Sequence, residues 1–219
     1  MLRLLFEKKG NAVWISHLDL MRLFQRAFKR AGFSLTHTKG FNPRPSVSIA
    51  LPLSVGIESC CELLDFELED ANATCDEIKE KLNDALIDGV RVLKVYADGR
   101  KLKELAYLRC NLRLEYDQGV PEDAASQIQM LLDRDEVVVP KKSKNGIQDQ
   151  NIVPMIKSCT VTGEQSNEIE IRAVVCCQNP SLNPMQLVAA VEKHLPHLAP
   201  DFSTCCRWEI YDHNEEIFR

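Results

Sequence analysis

The chain has 219 residues, of which 45% are hydrophobic and 27% charged, and its formal net charge is −5. This composition excludes collagenous and disordered proteins, and the length suits two compact lobes of about 100 residues each. The sequence has no apolar run of membrane-spanning length and its N-terminus carries charges too early for a signal peptide, so we expect a soluble, cytoplasmic protein.

The first half of the chain predicts the element order β-α-β-β-α-β. Its first helix begins at Ser16, where Asp19 completes a capping box, and ends at Gly32. A second capping box, formed by Thr74 and Glu77, begins the second helix. Hydrophobic alternation and short apolar runs predict four strands, at residues 1–6, 46–55, 64–69 and 90–96.

The second half repeats this order after a turn at residues 98–99. Its helices follow Pro121 and Pro184, and a polar excursion covers residues 141–150. The predicted strands are residues 106–116, 136–140, 169–175 and 206–210. The repeated order predicts an α+β fold of two tandem ferredoxin-like (split βαβ) lobes with antiparallel sheets, at residues 1–98 and 104–219.

Motifs for metal or cofactor binding are not found in the sequence. The nine cysteines include three adjacent pairs but no C-x-x-C motif, which argues against a zinc site or an iron-sulfur cluster. Most of them lie in apolar strand contexts, where cysteine acts as a small hydrophobic residue. His194 and His197 flank Pro196 and do not share a helix face. We therefore expect neither a metal nor a cofactor.

Charge is distributed unevenly along the chain. Residues 20–57 contain six basic residues and no acidic one, which leaves 21 basic against 32 acidic residues and a net charge of −11 elsewhere. On a helical wheel the basic residues of the first helix lie opposite its apolar stripe, and only Asp19 could neutralise them. Such asymmetry indicates a localised site for an anionic partner.

A loop with several recognition side chains follows the first helix. It contains one histidine, His37, and an arginine between two prolines, Arg44, which is presented at low conformational cost. Gly40 permits close backbone approach by a ligand. The alternative interpretation is a plain connection between helix and strand, with Phe41 packed in the core.

Four runs in this region resemble the radical SAM-linked protein family. They are WISHLDLMR at residues 14–22, RAFKRAG at 26–32, TKGFNPRP at 38–45 and ALPLSVGIES at 50–59, followed by Glu62. That family is an uncharacterised domain found beside, or fused to, radical SAM proteins with a cobalamin-binding-like domain. The resemblance implies such a protein as the partner of this chain. It transfers no activity.

Three functions are compatible with the sequence. The first is a non-catalytic accessory protein that binds RNA by phosphate contacts and by stacking of Phe33 or Phe41. The second is a protein-docking subunit without RNA binding. The third is a metal-independent endoribonuclease with His37 as general acid or base and Lys39 or Arg44 stabilising the developing charge. The residues predicted to bind are Arg22, Arg26, Lys29, Arg30, Lys39, Gly40, Phe41, Asn42 and Arg44.

Overall fold

The computed structural model describes residues 1–70, 72–143, 146–165 and 167–219. They form an α+β protein divided into two compact units, Met1–Glu104 with Arg219, and Leu105–Phe218. The predicted α+β class and the antiparallel pairing within each unit are confirmed. Among the residues described, no helix combines the length and apolar character needed to cross a membrane.

The first unit has the predicted order of elements. They are β1 (Leu2–Lys8), α1 (His17–Arg30), β2 (Val47–Ile49), β3 (Glu58–Phe66), α2 (Cys75–Ala85) and β4 (Val90–Ala97). The strands lie side by side in the order β4-β1-β3-β2, each antiparallel to its neighbour. This order places both crossing connections, α1 and α2, where they can cover a sheet face.

One hydrophobic cluster joins both helices to this sheet. The rings of Phe6 in β1 and Phe24 in α1 meet edge to face with centroids 4.8 Å apart, and Phe28 packs on Phe66 at the same distance. From α2, Leu82 is fully buried in the same cluster. Each helix is therefore fixed by its apolar face, which leaves its other face to solvent.

Local signals define both ends of α1 as predicted. The Ser16 hydroxyl accepts a hydrogen bond from the Asp19 backbone N–H at 3.2 Å, which satisfies one of the free donors at the helix start. At the other end Gly32 has a φ of +80°, and the Phe33 N–H donates to the Phe28 carbonyl. A left-handed glycine is the usual means of ending a helix.

The predicted strand at residues 46–55 is shorter than expected. β2 covers only Val47–Ile49 and pairs with β3, with Val47 opposite Phe66. Pro52 has no N–H to give to a ladder, and the chain turns away before Gly56, whose φ is +84°. Leu53 is still buried but Val55 is 51% exposed, so the alternation indicated burial only as far as Leu53.

The second unit contains a similar sheet and an additional hairpin. Its elements are β5 (Leu105–Glu115), α3 (Ala124–Leu132), β6 (Val138–Ser143), β7 (Gly146–Asn151), β8 (Ile156–Gln165), β9 (Glu168–Cys176), α4 (Met185–His194) and β10 (Phe202–Asp212). The sheet has the order β10-β5-β9-β8, and β6 pairs only with β7 among the strands of this unit's described residues.

The hairpin corrects the strand assignment at residues 136–140. That strand does not join the sheet but pairs with β7, Val139 lying opposite Gln150. Its place beside β9 is taken by β8, which the sequence did not reveal because its threonines, serine and cysteine dilute the apolar alternation. The predicted excursion is largely this hairpin, and its residues Lys144 and Asn145 lie outside the described residues.

Candidate functional site

The helix α1 has two chemically opposite faces. Leu20, Phe24, Ala27 and Phe28 are almost completely buried. The four cations predicted to bind are exposed to solvent, as the wheel requires: Arg22, Arg26, Lys29 and Arg30. The apolar anchoring of the helix therefore holds a row of positive charges outward on a regular scaffold.

Only part of this charge is neutralised within the protein. Arg22 pairs with Asp19 at 3.0 Å, but both side chains are more than half exposed, so the pair is weak. Hydrogen bonds from Ser16 and Arg22 lower the pKa of the Asp19 carboxyl. Arg30 donates to the Ala85 carbonyl, whereas Arg26 and Lys29 have no ion-pair partner in the part of the chain that the structure describes.

The loop after α1 is closed at its base by backbone and hydroxyl bonds. His37 and Pro45 face each other in an isolated antiparallel bridge. The Thr38 N–H donates to the Arg44 carbonyl at 2.8 Å, and the Arg44 N–H donates to the Thr38 hydroxyl at 3.0 Å. Residues 39–43 consequently form a tip that is tied at its base.

Every predicted binding residue of this loop is exposed. Lys39, Gly40, Asn42 and Arg44 all face solvent, and Phe41 is completely exposed at 108% of its reference area. The interpretation in which Phe41 packs in the core is therefore wrong. The whole ring of Phe41 is therefore accessible from solvent.

The other aromatic residue considered for stacking occupies a different environment. Phe33 is half-buried, with the Lys81 ammonium 5.5 Å from its ring centroid. A neighbouring cavity of about 380 Å³ is lined by Phe33 together with the acids Asp70 and Glu77. These carboxylates would repel a phosphate backbone, so Phe41 is the better stacking residue of the two.

The candidate catalytic residue His37 lies exposed at the base of the loop. It has no hydrogen-bonded acid or base partner within the described ranges. The same ranges contain no group of three or more His, Cys, Asp or Glu side chains able to hold a metal. Among the residues described, no general acid-base pair is thus formed at this histidine.

None of the nine cysteines, all of which lie in the described residues, is joined in a disulfide. A hydrogen bond with Cys205, together with burial, raises the pKa of Cys110. Burial raises the pKa of Cys159 to about 12 and that of Cys177 to about 11. Thiols that stay protonated are poor nucleophiles and poor metal ligands, in accord with a packing role.

Two exposed apolar residues that lie close to the basic face in sequence were not predicted as site residues. Trp14 is 67% exposed just before α1, and Leu18 is 66% exposed in its first turn. Leu18, Arg22 and Arg26 are spaced four residues apart, so they lie along one stripe of the helix. A signal for this existed in the sequence, because both residues fall outside the apolar stripe that begins at Leu20.

The fold and these side chains define an α+β protein with an exposed cationic segment on its first unit. Residues 1–184 match the family described as "Uncharacterized protein conserved in bacteria (DUF2344)", and the chain belongs to that family. No curated protein matches this chain. The family assignment covers the whole candidate site and gives it no activity.

Several solved structures show a weak structural likeness to this chain at low sequence identity. The "Crystal Structure of a Cbf5-Nop10-Gar1 Complex" matches at 10% identity and a TM-score of 0.47, over 94% of this chain and 47% of that chain. The "Crystal structure of the archaeal box H/ACA sRNP Nop10-Cbf5 complex" matches at 9% identity and a TM-score of 0.45, over 94% of this chain and 46% of that chain. The structure of an unknown protein from Galdieria sulphuraria matches at 9% identity and a TM-score of 0.27, over 94% of this chain and 96% of that chain. The chain spans less than half the length of the first two, and likeness at this level transfers no function.

Proposed function

We propose that this protein binds single-stranded RNA through residues 20–57, as a non-catalytic accessory protein of a radical SAM enzyme. The observation that carries the proposal is the exposed cationic face of α1, where Arg26 and Lys29 have no ion-pair partner in the described residues. Like charges on one helix face repel one another. A polyanion that neutralises them relieves this repulsion, and the counterions released from the polyanion contribute favourably to the binding free energy.

The exposed aromatic residue of the loop distinguishes single strands from duplexes. Phe41 stands clear of the protein between Lys39 and Arg44, both exposed. A ring in this position can stack on an unpaired base while the cations contact the flanking phosphates. A duplex hides its base faces and would leave Phe41 without a partner. We therefore favour single-stranded RNA, or the unpaired loop of a folded RNA.

The accessory role rests on the resemblance to the radical SAM-linked proteins over residues 14–62. In this proposal the partner is a radical SAM protein with a cobalamin-binding-like domain, which carries out the chemistry on the RNA that this chain holds. The lack of an acid-base partner for His37 among the described residues gives the endoribonuclease interpretation no support. The chain's own contribution is recognition.

We further infer that each unit is a ferredoxin-like lobe. The strand order β4-β1-β3-β2 of the first unit and the order β10-β5-β9-β8 of the second are equivalent when β6 and β7 are treated as an inserted hairpin. This arrangement places α1 and α3 at matching positions. Of these two helices it is α1 that has the basic outer face, which makes the first lobe the recognition lobe in this proposal.

The test is a titration of the full chain with a fluorescently labelled single-stranded RNA, followed by anisotropy at several salt concentrations. We expect affinity that falls steeply with salt and no cleavage products. Phe41→Ala should weaken binding by about 1–3 kcal/mol without changing the salt dependence, since it removes stacking and no phosphate contact. The matched control is Phe202→Ala, an exposed phenylalanine outside the segment, which should bind as the wild type does.

Two results would contradict this proposal. Undetectable RNA binding at low salt, together with tight binding to the radical SAM partner, would establish the docking-subunit function instead. Cleaved RNA whose formation is abolished by His37→Ala would establish the endoribonuclease.

A further inference from the structure

Trp14 is an unusual residue to leave in solvent. Its neighbours Ala12 and Val13 are buried, whereas Trp14 itself is 67% exposed. It ends a short 3-10 turn, Gly10–Trp14, directly before the helix that carries the basic face. An indole is the largest apolar side chain, and its exposure at this place costs solvation free energy that packing elsewhere would recover.

A buried lysine fixes the backbone on both sides of this tryptophan. Lys8 at the end of β1 is 1% exposed, and its ammonium donates to the Val13 carbonyl at 3.1 Å and to the Ile15 carbonyl at 2.9 Å. Burial lowers the pKa of Lys8, an effect partly offset by the Glu62 carboxylate. Burying an ammonium is costly, and here its two bonds hold the carbonyl groups of the residues immediately before and after Trp14.

Two glycines complete the support of this turn. The Gly56 N–H donates to the same Val13 carbonyl at 2.9 Å, and a Cβ on Gly56 would lie 3.7 Å from the Trp14 ring. At Gly89 a Cβ would clash with the Lys9 carbonyl oxygen and lie 2.9 Å from the Cβ of Ala12. The turn is thus tied to two other loops of the first unit, and Trp14 is presented on a rigid support.

We propose that Trp14 is a base-stacking residue, and that the strand of RNA bound by this protein runs from Trp14 along the stripe of α1. This proposal rests on the proposed function and names a second stacking position for the same ligand. Rigid presentation favours it, because an aromatic platform that is already ordered loses little conformational entropy when a base stacks on it.

The chemistry of the stripe selects this occupant. In chain order, the exposed side chains are the indole of Trp14, the aliphatic Leu18, and then Arg22 and Arg26 at successive turns of α1. A ligand for this series needs a flat apolar group followed by regularly spaced anions. A single strand of RNA offers both in every nucleotide, whereas an acidic peptide helix would carry its apolar and anionic groups on opposite faces.

The experiment compares two labelled strands of equal length, one with all bases and one of abasic ribose-phosphate. Trp14→Ala should weaken binding of the base-containing strand about 5- to 150-fold and leave binding of the abasic strand unchanged. Trp14→Phe should retain most of the affinity. Trp208→Phe is the control, and it also leaves Trp14 as the single indole, whose fluorescence should be quenched when the base-containing strand binds.

The outcomes separate the two proposals. If the wild type binds neither strand, the proposed function fails and the stacking role fails with it. If the wild type binds RNA and Trp14→Ala binds equally well, or loses affinity equally for both strands, the stacking role is overturned and the proposed function stands. Loss of binding to the radical SAM partner with unchanged RNA affinity would likewise overturn it, because Trp14 would then be a protein-docking residue.

Discussion

The helices α1 and α2 belong to the same hydrophobic cluster, yet their outer faces differ in kind. The face of α2 mixes both signs of charge, and its Lys81 pairs with Glu77 one turn earlier at 2.7 Å. This is the usual composition of a solvated helix face. The face of α1 carries four cations and the single acid Asp19. The excess of cations on the outer face of α1 therefore has no counterpart on α2.

The largest expected effect is a loss of stability, and it tests whether the buried faces of α1 and α2 contribute similarly to the free energy of unfolding. Phe24→Ala in α1 should reduce the free energy of unfolding by about 3–5 kcal/mol, and Leu82→Ala in α2 by about 2–5 kcal/mol, because each leaves a cavity in the shared core. Urea denaturation followed by circular dichroism measures both. Arg26→Ala, on the opposite face of α1, should change stability by no more than about 0.5 kcal/mol. A similar loss for Arg26→Ala would mean that the basic face is structural.

An intermediate effect, on RNA affinity and its salt dependence, should distinguish the outer face of α1 from that of α2. The double variant Arg22→Ala with Arg26→Ala should lower RNA affinity about tenfold near physiological salt, and should make log K less dependent on log salt by about 1.4 units. Lys79→Ala with Lys81→Ala on α2 removes the same charge and should leave the salt dependence unchanged. If both double variants lower affinity equally, net charge rather than the α1 face governs binding.

The smallest effect concerns the one acid on the α1 face. Asp19→Asn keeps an acceptor for the Ser16 hydroxyl but releases Arg22 from its ion pair. RNA affinity should rise about threefold at low salt, and the gain should vanish at high salt as the charges are screened. The matched change on α2, Glu77→Gln, should have no effect on RNA binding. Weaker binding by Asp19→Asn would show that the helix start, rather than the free charge, matters for recognition.

Features determined by nearby residues were predicted well from the sequence. The capping side chains at Ser16 and Thr74 and the two faces of α1 depend on spacings of three or four residues, and the structure has them as predicted. The α+β class follows from the order of such elements. β8 was missed because its polar alternation is weak, and its pairing with β9 is decided by the surrounding sheet.

Features determined by distant residues could not be read from the sequence. The choice between Phe33 and Phe41 depends on Asp70 and Glu77, which line the cavity beside the half-buried Phe33 ring in the folded unit. The exposure of Trp14 depends on the buried ammonium of Lys8 and on Gly89, and neither residue type suggests a stacking site when the sequence is considered alone. Local pattern located the basic segment, and tertiary contacts decide which of its neighbours face the solvent.

The loop at residues 37–45 has a consequence for how recognition could diversify among related proteins. Its base is closed by bonds of the backbone and of the Thr38 hydroxyl, and residues 39–43 at its tip are all exposed. Exchanges of side chains at tip positions other than Gly40, whose φ is +149°, would therefore alter the exposed surface of the loop at little cost to folding. In the proposed function, selection can therefore act on ligand preference at this tip independently of selection on stability, which is the property that makes such a loop evolvable.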